Sequence, residues 1–209
     1  MKKLLLTGFE PFLSFTVNPT MKIVEDLDGE IVGDFEVIGK VMTVDFASSG
    51  QQLLEHIKAT DPDVVISLGL AGGRYKITPE RIAINCKDGE ADNKGYRPID
   101  EPIHENGPAG YMSTLPIRKM VDALIEKGYP AEISNTAGTY LCNNVMYEGL
   151  HYAAHHKPSM RSGFIHIPAS HELALRHGKI PSMSHEDLMN SIRICVLGLS
   201  NSDYNDSRL

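Results

Sequence analysis

The 209-residue chain has no tryptophan, only 7% aromatic residues and just three cysteines, Cys86, Cys142 and Cys195. An odd cysteine count without a CxxC pair argues against a disulfide framework or structural zinc and fits a reducing compartment, so a cytoplasmic location is expected. No Lys/Arg run exceeds two residues, and the formal net charge is −7. The electrostatic footprint of a nucleic-acid binder is therefore missing, and polyanions are poor partners. No apolar segment approaches the roughly 20 residues that a membrane helix needs. Met1-Lys2-Lys3-Leu4-Leu5-Leu6-Thr7-Gly8 opens like a signal peptide, but its apolar run stops after three leucines at a turn and reads as a first strand. With no internal repeat and no low-complexity linker, the length suits one domain over residues 1–209.

What is present is alternation of strand and helix patterns. Lys3 to Phe9 is an apolar strand, and Asn18-Pro19 caps a helix to about Leu27, with proline at the first helical position. Phe35 to Val44 is β-rich, and Leu53, Leu54 and Ile57 mark one face of a helix over Ser48 to Ala59. Asp63 to Leu70 is a nearly continuous apolar strand of the kind buried on both faces of a parallel sheet. Arg81 to Cys86 is a short strand too close to its neighbour for a helical crossover, which points to an antiparallel run. Lys87 to Gly110, rich in Asp, Asn, Gly and Pro, reads as a long loop or protruding arm. Pro116 to Lys127 forms a helix closed by Gly128, Ala131 to Asn135 a strand, and Tyr140 to His156 a helix. Ser162 to Ile167 is a strand, Ser184 to about Gly198 a last helix, and the polar tail from Ser200 is expected to fray. The pattern predicts a three-layer α/β/α sandwich around a largely parallel, mixed sheet.

The segment Asn135-Thr136-Ala137-Gly138-Thr139-Tyr140-Leu141-Cys142-Asn143 places a thiol in the first turn of a helix. Unpaired N–H groups and the positive dipole end there favour a thiolate, which makes Cys142 a candidate nucleophile; the alternative is a small buried residue. In open α/β sheets, sites gather at strand carboxyl ends, and His166 lies inside a late strand where it can meet Cys142 and serve as its base. A core imidazole bonded to backbone is the competing reading. Glu80, at the mouth of the fourth strand, is one candidate among 27 acidic residues to orient the imidazole. His151 and His155 stand at i, i+4 without an acidic third ligand, so metal is not expected there. Gly69 to Gly73 spells neither GxGxxG nor a P-loop, and nucleotide binding has little support.

Four segments together resemble the pyroglutamyl peptidase I family of cysteine peptidases. They are Leu5-Leu6-Thr7-Gly8-Phe9-Glu10-Pro11-Phe12 with Asn18-Pro19, Gly72-Gly73-Arg74 with Ile77 to Asn85, Asn135 to Asn143, and Gly163-Phe164-Ile165-His166-Ile167-Pro168. They occur in the family's order over most of the chain. The resemblance implies catalytic roles for Glu80, Cys142 and His166, ring binding by Phe9 and Phe12, and a bracing role for Asn18. It further implies a phosphorylase-like fold, no cofactor, pyroglutamyl peptides as substrates, and assembly as a dimer or tetramer. The substrate is a flat lactam without a free α-amine, which suits a slot of aromatic faces better than an amine-capturing carboxylate.

The chain departs from the family at Leu13-Ser14-Phe15, where Gly-Gly follows the second phenylalanine, and at Leu70, where glutamine is usual. It departs also at Glu90, where an arginine is common, and at Ala169-Ser170-His171. These changes motivate a second reading, a catalytically weak member that binds a lactam or blocked peptide end. A phosphorylase-like glycosyl transferase is a third, with only Arg74 and Arg81 visible for a phosphate site.

Overall fold

Side-chain alternation along each strand decides which helical layer a residue joins. In the computed structural model, which describes residues 1–12 and 15–200, three parallel pairings build the centre of the sheet. The chain runs β1 (Lys2–Phe9), α1 (Pro19–Leu27), β2 (Ile31–Val32), β3 (Phe35–Met42), α2 (Ser49–Thr60), β4 (Val64–Leu70), β5 (Thr78–Pro79), β6 (Ile82–Ile84), β7 (Gly110–Met112) and α3 (Ile117–Glu126). It continues with α4 (Leu141–His156), β8 (Arg161–Ile167), β9 (Ala169–Ser170), α5 (His171–His177), β10 (Ser182–Met183) and α6 (His185–Leu197). The six-stranded sheet has the order β2-β3-β1-β4-β8-β5, with antiparallel pairs only at its edges, β2–β3 and β5–β8.

Leu4, Leu6, Val64, Ile66, Leu68, Ile165 and Ile167 point to one face, where they meet α1, α3 and α6 through Ile23, Val121, Leu124, Leu188 and Ile192. Leu5, Val65 and Phe164, the alternate positions of the same strands, point to the other face and meet α2 and α4 through Leu53, Ile57, Val145 and Leu150. Both faces of β4 are thus covered, which is why its seven residues are all buried. The arrangement is the three-layer sandwich with a mostly parallel sheet that the alternation predicts.

Three details differ from the expectations. Ala131 to Asn135 makes isolated bridges, Ile77 to Ala131 and Glu80 to Ser134, rather than a full strand, because Pro79 opposite has no N–H to complete a ladder. The Arg81 to Cys86 run is shorter, Ile82–Ile84, and pairs antiparallel with β7 in a separate two-stranded sheet. Helix α5 is an addition to the expected elements: Ser170 caps its start, and Gly178, whose N–H donates to Ala174 O, closes it after the basic last-turn residues Arg176 and His177. The expectation for the tail falls on residues 201–209, and part of the first departure on Leu13 and Ser14, all outside the described residues.

Candidate active site

Phe164 faces α4, so two residues further along β8 His166 faces α4 as well. Register then fixes its neighbours: Gly69 of β4 lies opposite on one side and Thr78 of β5 on the other. Glu80 follows β5 on the same face as Thr78, its backbone N–H donating to Phe164 O at 2.9 Å, with no exposed surface. His166 Nδ1 bonds Glu80 Oε1 at 2.7 Å, and the ring retains 6% of its exposure.

Cys142 is the second residue of α4, and its sulfur lies over the open space at Gly69, where a Cβ would come within 2.9 Å of Sγ. Glycine is needed there because Phe164 and the thiol occupy the room a side chain would take. The thiol lies on the same side of the sheet as the His166 ring and acts on its protonation. Burial works against a charged imidazole, but Cys142 and Glu80 beside it outweigh that cost and hold His166 at about 9. The surroundings of the ring thus favour its imidazolium form.

The start of α4 is open. Asn18, Ser170 and Ser184 cap α1, α5 and α6 with side-chain oxygens, whereas Tyr140 makes no side-chain cap bond for α4, nor do Ser48 and Pro116 for α2 and α3. The first-turn N–H groups beside the thiol thus have no side-chain cap. The turn that delivers this helix needs Gly138, whose φ of +78° favours glycine.

Beside the thiol is a cleft lined by Phe9, Phe12, Asn18, Val44, Leu70, Tyr140, Leu141 and Cys142. Apart from Asn18 and the thiol, its lining is aliphatic and aromatic side chains, which suits a small flat ring. Phe9 is 4% exposed and belongs to the α2–α4 core, so it forms the floor; Phe12 is half-buried, with its ring 6.4 Å from Tyr140 and 5.5 Å from Phe15. Asn18 lines the cleft with its polar atoms already engaged: Nδ2 donates to Glu10 O, and Oδ1 accepts from Thr20 N and Thr20 Oγ1. The long loop packs against this wall. Asn93 Nδ2 donates to Glu10 Oε1 and Pro11 O, and Tyr140 Oη donates to Ala91 O at 3.1 Å.

The fold thus brings Glu80, Cys142 and His166 together and sets Phe9, Phe12 and Asn18 on the adjoining cleft. Of the departures, Leu70 lines that cleft, while Glu90 is exposed. His151 and His155 lie further along α4, with His151 Nδ1 against Tyr111 Oη and His155 Nδ1 against His151 O.

Three contributors escaped the sequence reading. Tyr140, directly before the Leu-Cys pair, closes the cleft. Asn143 ties α4 to β6 by accepting from Ile84 N and donating to Ile84 O and Cys86 O. Arg74, read from the sequence only as the end of a Gly-Gly-Arg turn and as one of two arginines for a phosphate site, donates from Nη1 to Glu80 Oε1 at 2.8 Å and to Thr78 Oγ1 at 2.7 Å.

Residues 2–201 match the family model described as pyroglutamyl peptidase. A pyrrolidone-carboxylate peptidase of Lysinibacillus sphaericus is 61% identical over 196 residues, covering 94% of this chain and 96% of its own. One from Oceanobacillus iheyensis is 56% identical over 196 residues, covering 94% and 98%. The crystal structure of Bacillus amyloliquefaciens pyroglutamyl peptidase I superposes with a TM-score of 0.92 at 39% identity, covering 95% of this chain and 97% of that one.

Proposed function

The chain belongs to the pyroglutamyl peptidase family, and from that premise we propose that Cys142 is its nucleophile, His166 its proton carrier and Glu80 the group that orients the imidazole. The activity is that of a cysteine-type exopeptidase, removal of an N-terminal pyroglutamyl residue from peptides. Relatives of up to 61% identity carry the peptidase name, and a binding-only role is not favoured.

In the proposed sequence Cys142 Sγ attacks the pyroglutamyl carbonyl, and first-turn N–H groups of α4 hold the oxyanion. The C–N bond breaks as His166 gives its proton to the leaving amine, which departs as the shortened peptide. Water, deprotonated by the now neutral His166, attacks the thioester; free pyroglutamate leaves and the sulfur regains its starting state. Phe9, Phe12, Leu70 and Tyr140 enclose the lactam in apolar faces, where a charged amino terminus would lose its hydration without a counter-charge. The observation that carries this reading is the buried contact of Glu80 with His166 at 2.7 Å, on the face where the Cys142 sulfur lies.

The same proposal takes residues 1–209 as one peptidase domain working without cofactor in the cytoplasm, as a dimer or tetramer. Free Cys86, Cys142 and Cys195 support a reducing compartment. Among the described residues no helix is long and apolar enough to cross a membrane. The test is release of a fluorescent amine from a pyroglutamyl amide, beside the same reporter on proline and on free glutamate. Only the first should be cleaved, and Cys142→Ala should abolish cleavage; a fully active Cys142→Ala protein overturns the assignment.

A further inference from the structure

Glu80 answers to two cations through one oxygen. Oε1 accepts from His166 Nδ1 at 2.7 Å and from Arg74 Nη1 at 2.8 Å, while Oε2 is buried and has no hydrogen-bond partner among the described residues. Nη1 of Arg74 also donates to Thr78 Oγ1, on the same face of the chain two residues before Glu80. Nη2 reaches Thr136 O at 3.5 Å, in the turn leading to Cys142. One guanidinium therefore touches the edge that carries Glu80 and the loop that carries the thiol. About a third of the Arg74 side chain is exposed, whereas Glu80 is fully enclosed.

We propose that Arg74 is a positioning residue that keeps Glu80 a carboxylate through the whole reaction and limits how tightly that carboxylate holds the proton on His166. The inference rests on the assignment of Glu80, Cys142 and His166 made above. When His166 has handed its Nε2 proton to the leaving amine, the ring is neutral and Glu80 would be an unpaired buried charge, a costly state. Arg74 is the cation that remains. With it in place the Nδ1 proton stays on the ring and Glu80 stays ionised, so Nε2 is free to take a proton from water in the second half of the cycle. In the first half, the guanidinium draws on the same Oε1 that supports the imidazolium and makes His166 a readier acid toward the amine. The charged or titratable groups that touch the ring are Cys142, from α4, and Glu80, beside β5; Phe164 of β8 supplies an apolar neighbour at 4.9 Å.

The two flanking substitutions should move the alkaline limb of kcat/KM in opposite directions. Glu80→Gln removes support for the imidazolium and brings the limb down. Arg74→Met removes a positive charge beyond Glu80 and should raise it by roughly half to one pH unit. In Arg74→Met, kcat should fall about 10- to 100-fold with KM nearly unchanged, within what a well-placed proton donor contributes. Arg74→Lys, which keeps the charge but not the fork, should leave the limb in place and recover part of kcat. A limb position does not depend on how much protein is folded, so poor yield cannot imitate the result. If Glu80→Gln lowers the limb but Arg74→Met leaves it fixed or lowers it, the role given to Arg74 is wrong while the trio stands. If neither substitution moves the limb, the trio assignment fails with it.

Discussion

Replacing Gly69 by alanine tests whether the thiol depends on the space above β4. The added Cβ would stand 2.9 Å from Cys142 Sγ and 2.6 Å from a Phe164 ring carbon, where ordinary contact begins at 3.4 Å. The shortfalls are 3.4 − 2.9 = 0.5 Å and 3.4 − 2.6 = 0.8 Å. Phe164 is wholly buried and cannot swing aside, so the strain falls on β4, β8 and the start of α4. Overpacking of this kind costs about 1–3 kcal/mol. At roughly 2–4 °C per kcal/mol for a chain of this size, Tm should drop by about 2–12 °C. A sulfur displaced by about half an ångström should lose about tenfold in kcat, on a scale where 1 Å costs about a hundredfold. The measurements are a thermal melt, pyroglutamyl amide hydrolysis, and the alkylation rate of Cys142. Gly73→Ala is the control, since nothing lies within 4 Å of its added carbon. A Gly69→Ala protein with wild-type Tm and kcat refutes the packing reasoning.

Phe9→Ala should cost about 3–5 kcal/mol of stability as well as raising KM, because the ring is both cleft floor and core, whereas Phe12→Ala should raise KM at a smaller stability cost; an unchanged KM in both removes them from ring binding. Iodoacetamide should label Cys142 first. Burial pushes the Cys195 thiol up to about 12, and burial, Asp100 and Asp88 raise that of Cys86, so peptide mapping that finds either modified before Cys142 contradicts the nucleophile assignment. His166 holds its proton to about 9 in the folded protein, against about 6.5 for an unperturbed imidazole. That stabilisation is complete below pH 6.5 and is lost as pH rises through about 9. Urea midpoints and kcat/KM should therefore both decline across that window, and profiles flat from pH 7 to about 10 would contradict it.

The long elements were legible because their signals are local. Asn18-Pro19 announces α1, the apolar run of β4 announces a doubly covered strand, and Gly128 ends α3. The position of Cys142 at a helix start was readable for the same reason. What local pattern cannot carry is register. That Gly69 stands opposite His166, and Thr78 on its other side, depends on pairings between segments 86 and more residues apart. Two-residue strands such as Thr78–Pro79 have no periodicity to read. Helix α5 buries Leu173 alone, too little for an apolar stripe, and its caps were the only cue. Arg74 sits in a turn where an arginine ordinarily means solvent, and only the folded edge reveals the carboxylate it holds.

The placement of β8 between β4 and β5 also sets a clock on the enzyme during its own synthesis. Cys142 leaves the ribosome 166 − 142 = 24 residues before His166, an interval of about 1–5 s at about 5–20 residues per second. Throughout that interval the thiol has no imidazole. Afterwards β8 must still insert beside β4, a strand made nearly a hundred residues earlier, before Glu80 and His166 can meet. On the proposed mechanism, a nascent or truncated chain lacking β8 is inert toward the peptides around it until the sheet has closed.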